Sequence, residues 1–202
     1  MCILTRFDKV KLFERKNIQM KEKFTAQFVG NRIIVWDISK GQKLYSSGFI
    51  GKPLGVRKPK SEDEFRDPSE ISFFEASYLI EKKKLKVVDE NEKILKKEHF
   101  LERCRAQYLN FDSKMKVYKH LKDLGYVVRP GLKFGVDFSV YTKGPGLEHS
   151  PYLVQIIESE GKINPIELVR AGRLATTVRK NFVISTVIKK KLHFFVFNRY
   201  KP

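Results

Sequence analysis

Four runs in the second half of the chain narrow its folding most: FGVDFSVYT, PYLVQIIE, NFVISTVI and LHFFVFNRY. Each is rich in β-branched and aromatic residues and is bounded by turn formers, the pattern of a strand. Between the second and third, after a turn containing Gly161 and Pro165, lies IELVRAGRLATTVRK, whose apolar residues recur at helical spacing. Upstream, NFDSKMKVYKHLKDLGYVVRPG sets Met115, Tyr118 and Leu121 on one helix face, places Gly125 at the helix end, and leads into a short strand, VVRPG. A chain in this order is of the α/β (α+β) class, with a short mixed sheet packed between helices.

The first half carries weaker signals. FTAQFVG, RIIVWDI and KLYSSGFIGKPLG read as strands, with Gly30–Asn31 turning between the first two, and predict a small mixed sheet. KPKSEDEF, with Pro59, reads as an exposed loop. SEISFFEASYLIEKKKLKVV reads as an amphipathic helix capped by Ser69, with Phe73, Phe74, Tyr78 and Leu79 at helical spacing and Lys82 to Lys84 at its negative pole. DENEKILKKEHF, residues 89–100, is charge-dense and suits a link between units. The boundary falls near residue 100: an N-terminal α/β domain over 1–100 and a C-terminal domain over 101–202.

Lys and Arg number 41 against 23 Asp and Glu, a formal charge of +18. A field of that size attracts polyanions, so nucleic acid is the leading partner. Residues 101–202 hold 19 basic and 8 acidic side chains against 22 and 15 in 1–100. A phosphate backbone is therefore expected on the C-terminal half. No apolar run nears the roughly 20 residues that span a bilayer, and MCILTRFDKVKLFERK mixes in charge too early for a secretory signal. Cys2 and Cys104 are too few for a zinc site or a disulfide framework and fit a reducing cytoplasm.

Two nuclease chemistries compete for the C-terminal sheet. A metal-dependent one needs paired carboxylates on adjacent strands. Asp137 supplies one, but the next strand offers Gln155 where a second belongs. RNA permits the other, because its own 2′-hydroxyl attacks phosphorus once a base takes its proton and an acid protonates the departing 5′-oxygen, with a fixed cation to meet the developing charge. Tyr141 and His149 bracket one Gly- and Pro-containing loop, and VRAGRLATTVRK brings Arg173, Arg179 and Lys180. Taken singly, each is an ordinary residue: a strand Tyr, a solvated loop His, a helix-end Lys.

Together they carry more. KVYKHLKDLGYVVRPGLKFGVDFSVYTKGPGLEHSPYLV followed by LVRAGRLATTVRKNFVIS resembles the C-terminal catalytic domain of archaeal tRNA-splicing endonucleases, over roughly residues 108–190. The resemblance implies cleavage of precursor tRNA at bulge-helix-bulge splice sites, without metal or cofactor, leaving a 2′,3′-cyclic phosphate and a 5′-hydroxyl. It implies Tyr141 as general base, His149 as general acid and Lys180 as the stabiliser of the transition state. It matches Arg173 to one of two Arg side chains that sandwich a flipped-out base, with Arg199 the candidate for the other.

One stretch departs from the family's pattern. Where self-assembling members carry an acidic loop, this chain has VIKKKLH, with Lys189, Lys190 and Lys191. Like charges oppose docking into a basic pocket. The expectation is a second, structural subunit in a two-plus-two heterotetramer, the alternative a homo-oligomer. A catalytically silent RNA-binding or structural subunit, and a metal-dependent nuclease, are the competing functional readings. The aromatic run HFFVFNRY is either an edge strand open to another chain or a buried one, His193 is expected at a subunit contact, and His120 beside a helix face.

Overall fold

The computed structural model describes residues 2–6, 22–56, 59, 65–158, 165–189 and 191–199. They form two compact units. One comprises the described residues within Lys16–Phe111, with Pro145–Leu147; the other those within Asp112–Gly144 and Glu148–Pro202, joined by the first strand, β1 (Cys2–Arg6). The mixed α/β architecture is the expected one. No helix among the described residues is long and apolar enough to cross a membrane.

The first unit holds a five-stranded mixed sheet in the order β4-β5-β3-β2-β6, from β2 (Phe24–Val29), β3 (Arg32–Val35), β4 (Lys52–Pro53), β5 (Ser69–Ile71) and β6 (Leu85–Val88). Its helices are α1 (Ile38–Gly48), α2 (Phe73–Glu81) and α3 (Lys97–Gln107). Three local readings need correction. The run containing Lys43 to Gly48 is the end of α1, not a strand. Asp37 accepts from the Lys40 N–H to start that helix, Gly41, Leu44 and Tyr45 form its buried face, and Phe49 in the left-handed region stops it. Ser69 is the first residue of β5, and the helix cap is Ser72, whose hydroxyl accepts from the Glu75 N–H while Glu75 accepts from the Ser72 N–H. Lys83, at φ 58°, ends the turn after α2, so LKVV leaves the helix to become β6. The charged stretch 89–100 holds a turn closed by Asp89 and the start of α3, whose Phe100 is fully buried. Most of KPKSEDEF lies outside the described residues.

The second unit follows the sequence reading closely. It is a six-stranded mixed sheet in the order β1-β11-β10-β9-β8-β7, made from β7 (Val127–Pro130), β8 (Phe138–Tyr141), β9 (Tyr152–Ile157), β10 (Asn181–Ile188) and β11 (Lys191–Arg199) with β1. Its helices are α4 (Phe111–Asp123) and α5 (Pro165–Thr177). Only β9 and β10 run parallel, as the intervening helix requires. Phe138, Val154, Val183 and Val196 are cross-strand neighbours and share one face. There α4 packs, Tyr118 on Phe138 at 5.8 Å and His120 stacked on Phe194 at 5.4 Å between centroids. The opposite face presents Leu153, Phe182 and Phe197, and Gly172 brings α5 against the Phe197 ring.

β11 is not an edge strand. β1 pairs antiparallel along it, Cys2 opposite Arg199 and Arg6 opposite Phe195, so its backbone groups are matched by β10 on one side and β1 on the other. His193 stacks on Phe195 with rings 12° from parallel.

Candidate functional site

Sheet register decides which side chains can meet. Val140 pairs with Tyr152 across β8 and β9, and Asn181 pairs with Tyr152 across β10 and β9. One step outward, Tyr141 and Lys180 both fall level with Pro151. Continuing from the Phe182–Phe197 pair places the Arg199 backbone level with Lys180 on β11. Tyr141, Pro151, Lys180 and Arg199 thus line one end of four adjacent strands, spaced about 4.8 Å apart. Tyr141 and Lys180 also share the α5 face, because Ser139 pairs with Leu153 and Leu153 with Phe182.

The chain reaches these positions by two devices. After α5, Val178 and Arg179 continue with N–H bonds to Leu174 and Thr176 carbonyls, and Arg179 at φ 53° turns Lys180 back to the sheet, where the Asn181 N–H bonds the Pro151 carbonyl at 2.8 Å. The β8–β9 loop is held by Glu148. Its carboxylate accepts from the Thr142 hydroxyl at 2.9 and 2.8 Å and from the Lys143 N–H, while its own N–H bonds the Gly144 carbonyl. Burial would raise the Glu148 pKa, but these hydrogen bonds outweigh it and hold the carboxyl below its ordinary value.

Ser150 joins the parts. Its carbonyl accepts from Lys180 Nζ at 2.6 Å, its buried hydroxyl lies beside the Tyr141 phenol, short of good hydrogen-bond geometry, and His149 precedes it, exposed on the loop. The structure therefore gathers Tyr141, Lys180 and the 149–150 segment at one place. Arg173 is exposed on α5, seven residues before Lys180.

Tyr141 is buried, and its phenol is pushed above its ordinary value of 10 by desolvation. The opposing influences are the positive charge of Arg129 and the Ser150 hydroxyl, while the Glu148 charge adds to the rise. Arg129 pairs with Ser139 and Val127 with Tyr141, so Arg129 lies diagonal to Tyr141 on the same face. The cation that favours the phenolate is thus Arg129. Lys180 itself is turned to the Ser150 carbonyl and lies 5.4 Å from the Phe134 ring centroid.

Asp137, weighed above as a metal carboxylate, is engaged internally. One oxygen pairs with Lys114 Nζ of α4 at 2.8 Å, and the other accepts from the Gln155 amide at 2.9 Å and the Ile156 N–H at 2.8 Å. Among the described residues no group of three His, Cys, Asp or Glu is arranged to hold a metal ion. Sequence reasoning missed Arg129, Glu148 and Ser150. Only Glu148 left a trace, as a carboxylate beside the His of the loop.

The chain has counterparts among known proteins. Residues 111–193 match the family described as tRNA intron endonuclease, catalytic C-terminal domain, and residues 24–101 the one described as tRNA intron endonuclease, N-terminal domain. The chain is 44% identical over 160 residues to the tRNA-splicing endonuclease of Hyperthermus butylicus, covering 79% of this chain and 88% of that protein. It is 39% identical over 165 residues to the tRNA-splicing endonuclease of Saccharolobus solfataricus and 38% over 165 to that of Saccharolobus islandicus, in both cases 82% of this chain and 91% of the relative.

Proposed function

The chain belongs to the tRNA intron endonuclease family, and from that premise we propose that it excises introns from precursor tRNA in the cytoplasm, cutting at bulge-helix-bulge sites by metal-independent attack of the 2′-hydroxyl. The observation that carries this reading is the meeting of Tyr141, the His149–Ser150 step and Lys180 at one end of the sheet, with Lys180 bonded to the Ser150 carbonyl.

Each group has one task. Tyr141 takes the 2′-hydroxyl proton as that oxygen forms its bond to phosphorus. The P–O5′ bond breaks, and His149 donates the proton that leaves a 5′-hydroxyl. The 2′-oxygen stays on phosphorus as the 2′,3′-cyclic phosphate. Lys180 meets the charge that grows on the non-bridging oxygens, a role an ammonium performs without proton transfer. Arg173 and Arg199 clamp a flipped base between planar guanidinium groups, where Lys would be a poor substitute.

The active assembly is a two-plus-two heterotetramer. Ile188 pairs with Lys191, so only Lys189 and Lys190 lie between β10 and β11, and Lys189 sits at φ 48°. A two-residue basic hairpin has neither the reach nor the sign to enter a basic pocket. A structural partner supplies the acidic element in this reading, and a fully active homo-oligomer of the chain alone refutes it.

The test is incubation of a precursor tRNA with the purified chain, alone and with a partner subunit, in excess chelator. Cleavage leaving cyclic phosphate and 5′-hydroxyl ends is expected. A 3′-hydroxyl product, or loss of activity in chelator restored by a divalent ion, overturns the mechanism. Binding without cleavage in either assembly makes this a silent RNA-binding subunit.

A further inference from the structure

Lys180 is not the only ammonium at the Phe134 ring. Lys133 Nζ lies 5.8 Å from the same centroid, against 5.4 Å for Lys180, so the two charges are at most about 11 Å apart. The ring itself is anchored, packing with Ile157, Val178 and Phe197 on the buried cluster of Val136, Leu153, Phe182 and Ile184. One half-buried aromatic side chain packed against the core thus holds two cations at the end of the sheet where Tyr141 and Ser150 lie.

The turn that carries Lys133 is stiff. Leu132–Phe134 form a single 3-10 turn, closed by Phe134 N–H to the Gly131 carbonyl at 2.8 Å and by Gly131 N–H to the Asp137 carbonyl at 2.9 Å. A Cβ at Gly131 would come within 2.6 Å of the Val136 carbonyl oxygen, so only glycine fits. Lys133 is exposed on this rigid support and has no carboxylate partner in the described contacts. Two like charges drawn to one ring repel each other, and an anion between or beside them relieves that repulsion.

We propose that Lys133 is a binding residue for the ribose-phosphate backbone, taking a phosphodiester next to the one being cut, with Phe134 holding Lys133 and Lys180 in register along the strand. The proposal rests on the function argued above. It adds to Tyr141, His149 and Lys180 a cation that orients RNA and takes no part in bond making.

The experiment measures precursor-tRNA binding and single-turnover cleavage by the active assembly, for wild type, Lys133→Ala, Lys133→Arg, Phe134→Leu and, as a control in the first unit, Lys93→Ala, across a salt series. Lys133→Ala is expected to weaken binding about tenfold, with the cleavage rate at saturation within about threefold. Its plot of log affinity against log salt should be shallower by about 0.7, the loss of one phosphate contact on a single strand. Lys133→Arg should restore both, and Phe134→Leu, which keeps the apolar packing, should reproduce part of the loss. The proposal is overturned if Lys133→Ala matches Lys93→Ala in affinity and salt slope, or if it lowers the saturated rate at unchanged affinity. Wild type that neither binds nor cuts precursor tRNA removes the functional reading instead, and the Lys133 proposal falls with it.

Discussion

Asp137→Ala separates a carboxylate that holds the fold from one that would hold a metal. The substitution removes the anion from Lys114, whose side chain is only 22% exposed, and strands the Ile156 N–H and Gln155 amide that bond the other oxygen. Breaking a buried pair by removing one partner costs about 3–5 kcal/mol. The 10% and 22% exposures of the two side chains admit some water and favour the lower end. At about 2–4 °C per kcal/mol for a chain of this size, a loss of about 3 kcal/mol lowers the melting midpoint by about 6–12 °C. Cleavage well below that midpoint should stay within about twofold per folded molecule and should remain indifferent to chelator. Lys114→Met should cost less, since Asp137 keeps its two N–H donors, and the double variant should show clear coupling. The assay is thermal unfolding followed by circular dichroism, alongside single-turnover cleavage. An unchanged midpoint with cleavage reduced a hundredfold, recovered by added manganese, would refute the structural assignment and revive a metal mechanism.

Three further outcomes are expected. Glu148→Ala frees the Thr142 hydroxyl and the Lys143 N–H and loosens the loop bearing His149, so the saturated cleavage rate should fall about tenfold with RNA affinity unchanged; Glu148→Gln, which can still accept, should recover part of it. Because the Glu148 pKa is held low in the folded protein, its stabilising contribution is present above about pH 4.5 and is lost as pH falls further, which an acid unfolding titration of Glu148→Gln should show as a reduced slope. His120 shifts the other end of the range: burial against Phe194 lowers its pKa, so the unfolded chain binds more protons near pH 6 and stability falls as pH drops through the ordinary histidine value of 6.5. His120→Phe should flatten the melting midpoint between pH 7 and 5.

What sequence revealed and what it hid follow from range. The strands β7 to β11 were legible because each is rich in β-branched or aromatic residues and bounded by turn formers, and α5 because its apolar residues recur at helical spacing. α1 was hidden because Tyr45, Phe49 and Ile50 favour strands locally, while the start signal, Asp37, sits two residues after β3. β1 was beyond reach, since its partner β11 lies nearly two hundred residues away and a short apolar run gives no hint of which edge it joins. At the proposed site, Tyr141, His149 and Lys180 stood out in the sequence as residue types a 2′-hydroxyl attack requires, in an order that resembles a known family. Ser150, Arg129 and Phe134 were not, because their roles depend on the pairings Val127–Tyr141 and Asn181–Tyr152 rather than on any spacing along the chain.

That register poses the sharpest chemical question at the site. A phenol of ordinary pKa 10 is about one part in a thousand ionised at pH 7, and burial makes the Tyr141 phenolate scarcer still. In the proposed role Tyr141 accepts the proton only as this scarce phenolate, since a neutral phenol is not a base, and the cleavage rate carries that small fraction as a factor. Arg129 then matters because its charge favours that phenolate, against the opposing Glu148. A substrate with sulfur at the 5′ bridging position isolates the base, since a thiolate leaves without the acid. On it, Arg129→Gln should slow cleavage about threefold, the effect of one charge acting diagonally across a half-exposed ladder, and the rate of wild type should climb with pH without levelling below about pH 10. Tyr141→Phe should lose at least a hundredfold. Arg129→Gln added to Tyr141→Phe should then cost nothing further, because its target oxygen is gone. An undiminished threefold effect in the Tyr141→Phe background places Arg129 on the RNA and removes the cationic support it gives Tyr141 across the sheet.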